Sequence, residues 1–145
     1  MLKVIIWAAD GSQSSEDALS VARGLAENNG GRLVVVHVDE MAHSRLGRYP
    51  ARADEGEIEL GLRRRTEELE ASGISASFET PKVGEGGTAE AIADCARAVG
   101  ADLIVAGTRG HGPVAGVVVG SVAQRLLHVT PCPLLIVPAS HQAST

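Results

Sequence analysis

The chain has 145 residues, 44% hydrophobic but only 2% aromatic, and a formal charge of -5 at pH 7. That length is the size of one domain around one core. An acidic balance with no basic cluster outside Arg63-Arg64-Arg65, and too few rings for base stacking, argues against nucleic acid as the partner.

The opening MLKVIIWAADG holds a run too short for a signal-peptide core or a membrane span, so a cytosolic protein with no membrane contact is expected. Leu2 to Ala9 reads as a first strand, short and nearly continuous in apolar residues. Ser12 or Ser14 is placed to cap a first helix, with Ala18, Val21, Ala22 and Leu25 on its inner face and Gly30-Gly31 at its end. Arg32 to Val38 is a second strand containing His37, which reads as a hydrogen-bonded structural histidine. The segment from Asp39 to Ala53 is polar and aperiodic and predicts a mobile loop near the strand ends.

Ile58, Leu62 and Leu69 then share a helical face. Within that helix Arg63-Arg64-Arg65 is flanked by acids at helical spacing, which predicts a solvated face laced with ion pairs. After Gly73, the run Ile74 to Val83 alternates and contains Pro81, the pattern of an edge strand. Ala89, Ile92, Ala93 and Ala96 mark a third helix closed by Gly100. Asp102 to Gly107 is a fourth buried strand, Val122, Leu126 and Val129 a fourth helical face, and Pro133 to Val137 a last strand. Residues 140–145 (SHQAST) read as a loose tail beyond a domain of residues 1–139. Cys95 and Cys132 form no metal or redox motif and are expected to be reduced, buried and structural.

Strands and helices alternate throughout, which predicts an α/β fold: a single-domain, open, parallel five-stranded sheet, doubly wound, with helices on both faces. Ligands of such sheets bind beyond the carboxyl ends of the strands, where the winding reverses. That directs attention to Asp10, residues 38–40, residues 84–88 and the chain from Gly107 onward.

After the fourth strand comes Gly107-Thr108-Arg109-Gly110-His111-Gly112, then Gly120-Ser121 opening a helix. Glycines let backbone amides approach an anion, and a helix amino end adds free N–H groups and a favourable dipole. The segment is not a P-loop, because G-K-[ST] is missing, and it does not follow the first strand as the dinucleotide fingerprint does. Glycines also serve turns and packing, so on spacing alone both uses fit.

The spacing G-x2-G-x9-G-S, met by Gly107, Gly110, Gly120 and Ser121, resembles the ATP-binding signature of the universal stress protein family. The resemblance runs through VIIWAADGSQSSEDAL, LVVVHVDE, GGTAEAIADCARAVGADLIVAGTRGHG and GSVAQRLLHVTPCPLLIV, and lapses only over residues 41–72. It implies the adenine nucleotide alpha hydrolase-like sheet with strand order 3-2-1-4-5 and a nucleotide over the ends of the first and fourth strands. Ala8 and Asp10 would then border the nucleotide, and Val38 would lie against adenine. Gly107, Thr108, Arg109, Gly110, His111 and Gly112 would wrap ribose and phosphates, with Gly120, Ser121 and Val122 at the phosphate.

Asp10 has two readings, a turn-fixing carboxylate or one that meets ribose or a phosphate-bound magnesium; Arg109 and His111 either neutralise phosphate or are solvated. Thr88 stands where the family often has proline, and Ala8 leaves a smaller wall. With no Walker lysine and no base beside the loop, the expected function is a stress-response switch binding ATP, with or without Mg, and hydrolysing it little. The alternatives are a slow ATPase, a protein holding ADP or cyclic AMP, or an interaction protein without nucleotide. In the implied order the last strand, Leu134 to Val137, is an uncharged edge, which predicts a homodimer joined there.

Overall fold

The computed structural model describes residues 2–39, 41–44, 47–50, 54–108 and 120–139. In chain order the elements are β1 (Val4–Ala8), α1 (Gln13–Asn29), β2 (Arg32–Val36), β3 (Met41–Ser44), β4 (Gly47–Pro50), α2 (Glu55–Ala71), β5 (Ala76–Glu79), α3 (Gly87–Val99), β6 (Leu103–Gly107), α4 (Ser121–Val129) and β7 (Leu134–Val137). Five strands make one parallel sheet in the order β5-β2-β1-β6-β7. Numbered within that sheet alone the order is 3-2-1-4-5, as expected.

Alternation along the strands sorts the two faces. Ile5, Trp7, Leu33, Val35 and Val105 point into a cluster closed by Ala18, Ala22 and Ala26 of α1 and Leu62 and Leu69 of α2. Ile6, Val34, Val36 and Ile104 point the other way, onto Ala89, Ile92 and Ala96 of α3 and Leu126 of α4. Small alanines on the helices let them lie close to a sheet of branched residues, which is why the core needs so few aromatics. Of the residues assigned to inner helical faces, Val21 and Val122 are instead partly exposed, at 36% and 37%. Leu19 and Ala26 on α1 and Ala123 on α4 take the inward positions.

The helix ends follow the sequence signals. Ser12 caps α1 by accepting the Ser15 N–H at 3.1 Å, and Gly30 closes it in the left-handed conformation, as Gly100 closes α3. Within the basic run, Arg65 reaches Glu68 at 3.5 Å and, across to α1, Glu16 at 2.8 Å. Arg63 lies 4.7 Å over the ring of Phe78 on the edge strand β5. Pro81 falls beyond β5, where Asp39 and Lys82 form an isolated bridge.

Two expectations need correction. The segment 39–53 contains an antiparallel pair, β3 with β4, in the register Met41↔Pro50 to Ser44↔Gly47. Strands of four residues pair through their backbones and need no long hydrophobic alternation, so periodicity did not show them. Cys95 and Cys132 are free but only partly buried against the α3–α4 side of the sheet, and burial raises both thiols above their ordinary range.

Where α1 crosses the end of β6 the two backbones nearly touch. A Cβ built on Gly107 would lie 2.6 Å from the Ser14 carbonyl oxygen and 2.7 Å from its carbon, so only glycine fits without a backbone shift. At the opposite end of the sheet Asp102 ties β6 to β1. Its carboxylate accepts the Lys3 and Val4 N–H groups, both at 2.9 Å, while its own N–H donates to the Val4 carbonyl at 2.8 Å.

Two outcomes follow from these contacts. Gly107→Ala should lower unfolding free energy by about 1–3 kcal/mol, the usual range for an overpacked site, read by urea denaturation. The Val4 and Lys3 amides hold the Asp102 carboxyl below its usual value of 3.8, so its contribution is present above that value and fades as pH falls through the depressed one. Asp102→Asn should therefore be less stable than the parent at about pH 7, with the gap closing towards about pH 3.

Candidate functional site at the sheet crossover

The chain winds from β1 outward through β2 to β5, then returns to the other side of β1 for β6 and β7. The reversal lies between β1 and β6, paired from Ile5↔Leu103 to Ala8↔Ala106. Around their carboxyl ends lies a rim of Ala8, the β1–α1 turn, Gly107, Thr108 and, through the Thr108–Gly120 hydrogen bond, the start of α4, the place where ligands of such sheets bind.

On the β1 side, Ala8 is partly buried and belongs to the α3–α4 cluster. Asp10 fixes the turn: its Oδ1 accepts the Ser12 N–H at 2.8 Å and its own N–H donates to Ser15 Oγ at 3.2 Å. The cap of α1 is Ser12, not Asp10. Gly11 has φ +82°, and a Cβ there would meet Ile58 Cγ2 at 3.0 Å, so the turn is wedged under α2. Val38 is buried, only 6% exposed, against the α3–α4 core. Most of its surface is thus packed in the core, and little of it is offered as a wall.

On the β6 side, the Thr108 N–H donates to the Val137 carbonyl at 3.2 Å, and the Thr108 carbonyl accepts the Gly120 N–H. Thr108 Oγ1 lies 3.4 Å from Ser14 Oγ in the first turn of α1. Thr108 and Gly120, the described residues on either side of 109–119, are therefore hydrogen-bonded to each other. Arg109, Gly110, His111 and Gly112 lie outside the described residues.

Gly120 is the N-cap of α4, extended at φ −63° and ψ 161°, and it contributes no side chain to that end; the first turn carries no acid. Ser121 and Val122 are exposed there. The contrast with α1 is chemical. The amino end of α1 holds the Ser12 cap and Glu16, whereas α4 presents amides and a positive dipole end with neither.

Sequence reasoning missed one polar pair beside this rim. His37, 4% exposed, is a structural histidine as expected, with Nδ1 2.8 Å from the Ala9 carbonyl oxygen, but its Nε2 meets Glu55 Oε1 of α2. Among the described residues no group of three or more His, Cys, Asp or Glu converges as a metal site, and no helix is long and apolar enough to cross a membrane.

Comparison with known proteins places this geometry. The sequence profile of the Universal stress protein family matches residues 1–138. A universal stress protein of Thermus aquaticus is 37% identical over 138 residues, 94% of this chain and 99% of the relative. The solved structure of a universal stress protein family member from Burkholderia pseudomallei superposes with a TM-score of 0.74 at 33% identity, covering 95% of this chain and 97% of that one. A universal stress protein solved in complex with cAMP gives 0.70 at 25% identity, covering 96% and 99%. A doubly wound sheet with this strand order, matched by a profile and by relatives across almost its whole length, belongs to the universal stress protein family.

Proposed function

We propose that this chain binds an adenine nucleotide across the carboxyl ends of β1 and β6, with its phosphates at the amino end of α4. The observation that carries the reading is the bare start of α4. A glycine N-cap, no acid in the first turn and a position directly above the sheet crossover make it an anion site in a way that the self-capped, acidic start of α1 is not. The relative solved with cAMP supports adenine as the base.

ATP is the proposed ligand. Gly120, Ser121 and Val122 hold its phosphates, Gly107 and Thr108 line the cleft beside them, and Ala8 flanks the nucleotide. Arg109, Gly110, His111 and Gly112 wrap ribose and phosphate. Val38 backs the adenine from within the core. Asp10 orders the turn and faces the ligand side of β1; a phosphate-bound magnesium would make its carboxylate compatible with the triphosphate. The G-x2-G-x9-G-S spacing and the missing Walker lysine favour a regulatory switch whose ligand biases loop order, with slow hydrolysis at most. Cyclic AMP is the second reading, favoured by the solved relative.

Assembly is proposed through β7. It has one neighbour in the sheet, β6, and its residues Leu134–Val137 carry no charge. Leu135 is 36% exposed and Leu127 on α4 58%, which supplies apolar surface beside the open edge. A second copy meeting this edge about a two-fold axis would cover both.

Denaturing freshly purified protein and identifying the released molecule by chromatography and mass should give an adenine nucleotide, and calorimetry on stripped protein should show ATP binding. An empty protein that binds neither ATP nor cyclic AMP would refute the assignment. Ser121→Glu, at an exposed position where an acid favours the helix itself, should keep the fold while weakening nucleotide affinity by about tenfold or more. Light scattering should give twice the 15.0 kDa chain mass, reverting to one chain in Leu135→Arg; a monomeric parent would sink the dimer.

A further inference from the structure

We propose that His37 and Glu55 form an imidazolium–carboxylate latch that fixes the amino end of α2 to the rim between β1 and β2. The argument starts from donors and acceptors. The Ala9 carbonyl can only accept, so His37 Nδ1, 2.8 Å away, must carry a proton. A neutral ring protonated there turns a lone pair on Nε2 towards Glu55 Oε1, setting two acceptors against each other. The opposite neutral tautomer satisfies Glu55 and sets Nδ1 against the carbonyl. Both contacts are satisfied at once when both ring nitrogens are protonated.

Glu55 is suited to remain the anion. It lies in the first turn of α2, where the helix dipole favours negative charge, and its side chain keeps 14% exposure while that of His37 keeps 5%. The pair is neutral as a unit, and each buried charge is matched.

The latch matters because of where α2 is anchored. Its buried residues, Leu62, Thr66 and Leu69, all lie beyond the first two turns. Ahead of them, Glu55 meets His37 and Ile58 rests on Gly11. The same imidazole grips the Ala9 carbonyl, immediately before the Asp10–Ser12 turn. One side chain therefore joins the end of β1, the end of β2 and the start of α2. This inference stands apart from the nucleotide reading.

Two measurements test it on the full chain. Nitrogen-15 spectra of the histidine rings should show His37 protonated at both nitrogens at neutral pH, and a neutral ring in the parent overturns the proposal. Hydrogen exchange should quicken at least about tenfold at the amides of residues 58–61 in Glu55→Leu, while α3 and the second half of α2 keep their protection. Glu55→Gln, whose amide can donate to a neutral ring, should restore that protection and convert His37 to the neutral Nδ1–H tautomer. Unchanged exchange in Glu55→Leu would show that the contact latches nothing.

Discussion

The approach of α1 to the end of β6 is the constraint on which the rest of the site depends. With no side chain at Gly107, the first turn of α1 comes into backbone contact with the strand. Around that contact the polar groups are matched: the Trp7 indole N–H donates to the Ser15 carbonyl at 2.8 Å, Ser15 Oγ accepts the Asp10 N–H, and Ser14 Oγ faces Thr108 Oγ1. A buried Trp inside a β-branched strand is thereby satisfied, and the ends of β1 and β6 are held to one spacing. Gly120, at the start of α4, is hydrogen-bonded to Thr108 at that same place.

That arrangement also decides which helix end is available. The amino terminus of α1 is turned to internal use: its amides meet Ser12, and Glu16 both opposes its dipole and pairs with Arg65. α4 starts from a glycine held to the Thr108 carbonyl, and its first turn is Ser121, Val122 and Ala123. Among the described residues, an anion at the crossover would meet a helix end with no side-chain cap and no acid on the α4 side, and a capped, acidic one on the α1 side. The proposed polarity of the nucleotide, phosphates towards α4, follows from this difference and does not depend on any one side chain.

Much of the architecture was legible because short, continuous apolar runs separated by helical periods admit few arrangements. Gly30, Gly100 and Ser12 marked helix ends correctly because each signal is local: a left-handed backbone or a hydroxyl within reach of an amide. What stayed hidden depends on partners distant in sequence. Val21 reads as an inward residue from spacing alone, yet it is exposed, and Leu19 and Ala26 are buried instead. The β3–β4 pair is two four-residue segments bonded to each other, too short for any period to register. Asp102 looks like an ordinary first residue of a strand, and its bonds to Lys3 and Val4 span 99 and 98 residues of the chain.

His37 shows where the boundary of legibility falls. Its burial could be read, since it continues the alternation of Leu33 and Val35 onto the α1–α2 face. Its partner sits in EGEIE, where three glutamates compete. Helical phase separates them: Glu55 is three residues before Ile58 and seven before Leu62, on the stripe that continues to Thr66 and Leu69, whereas Glu57 and Glu59 fall off it. A carboxylate in the first turn of that stripe is turned towards the sheet, and the buried histidine at the end of the neighbouring strand meets it. The signal was therefore present, but it becomes readable only once the strand order has put β2 beneath the start of α2.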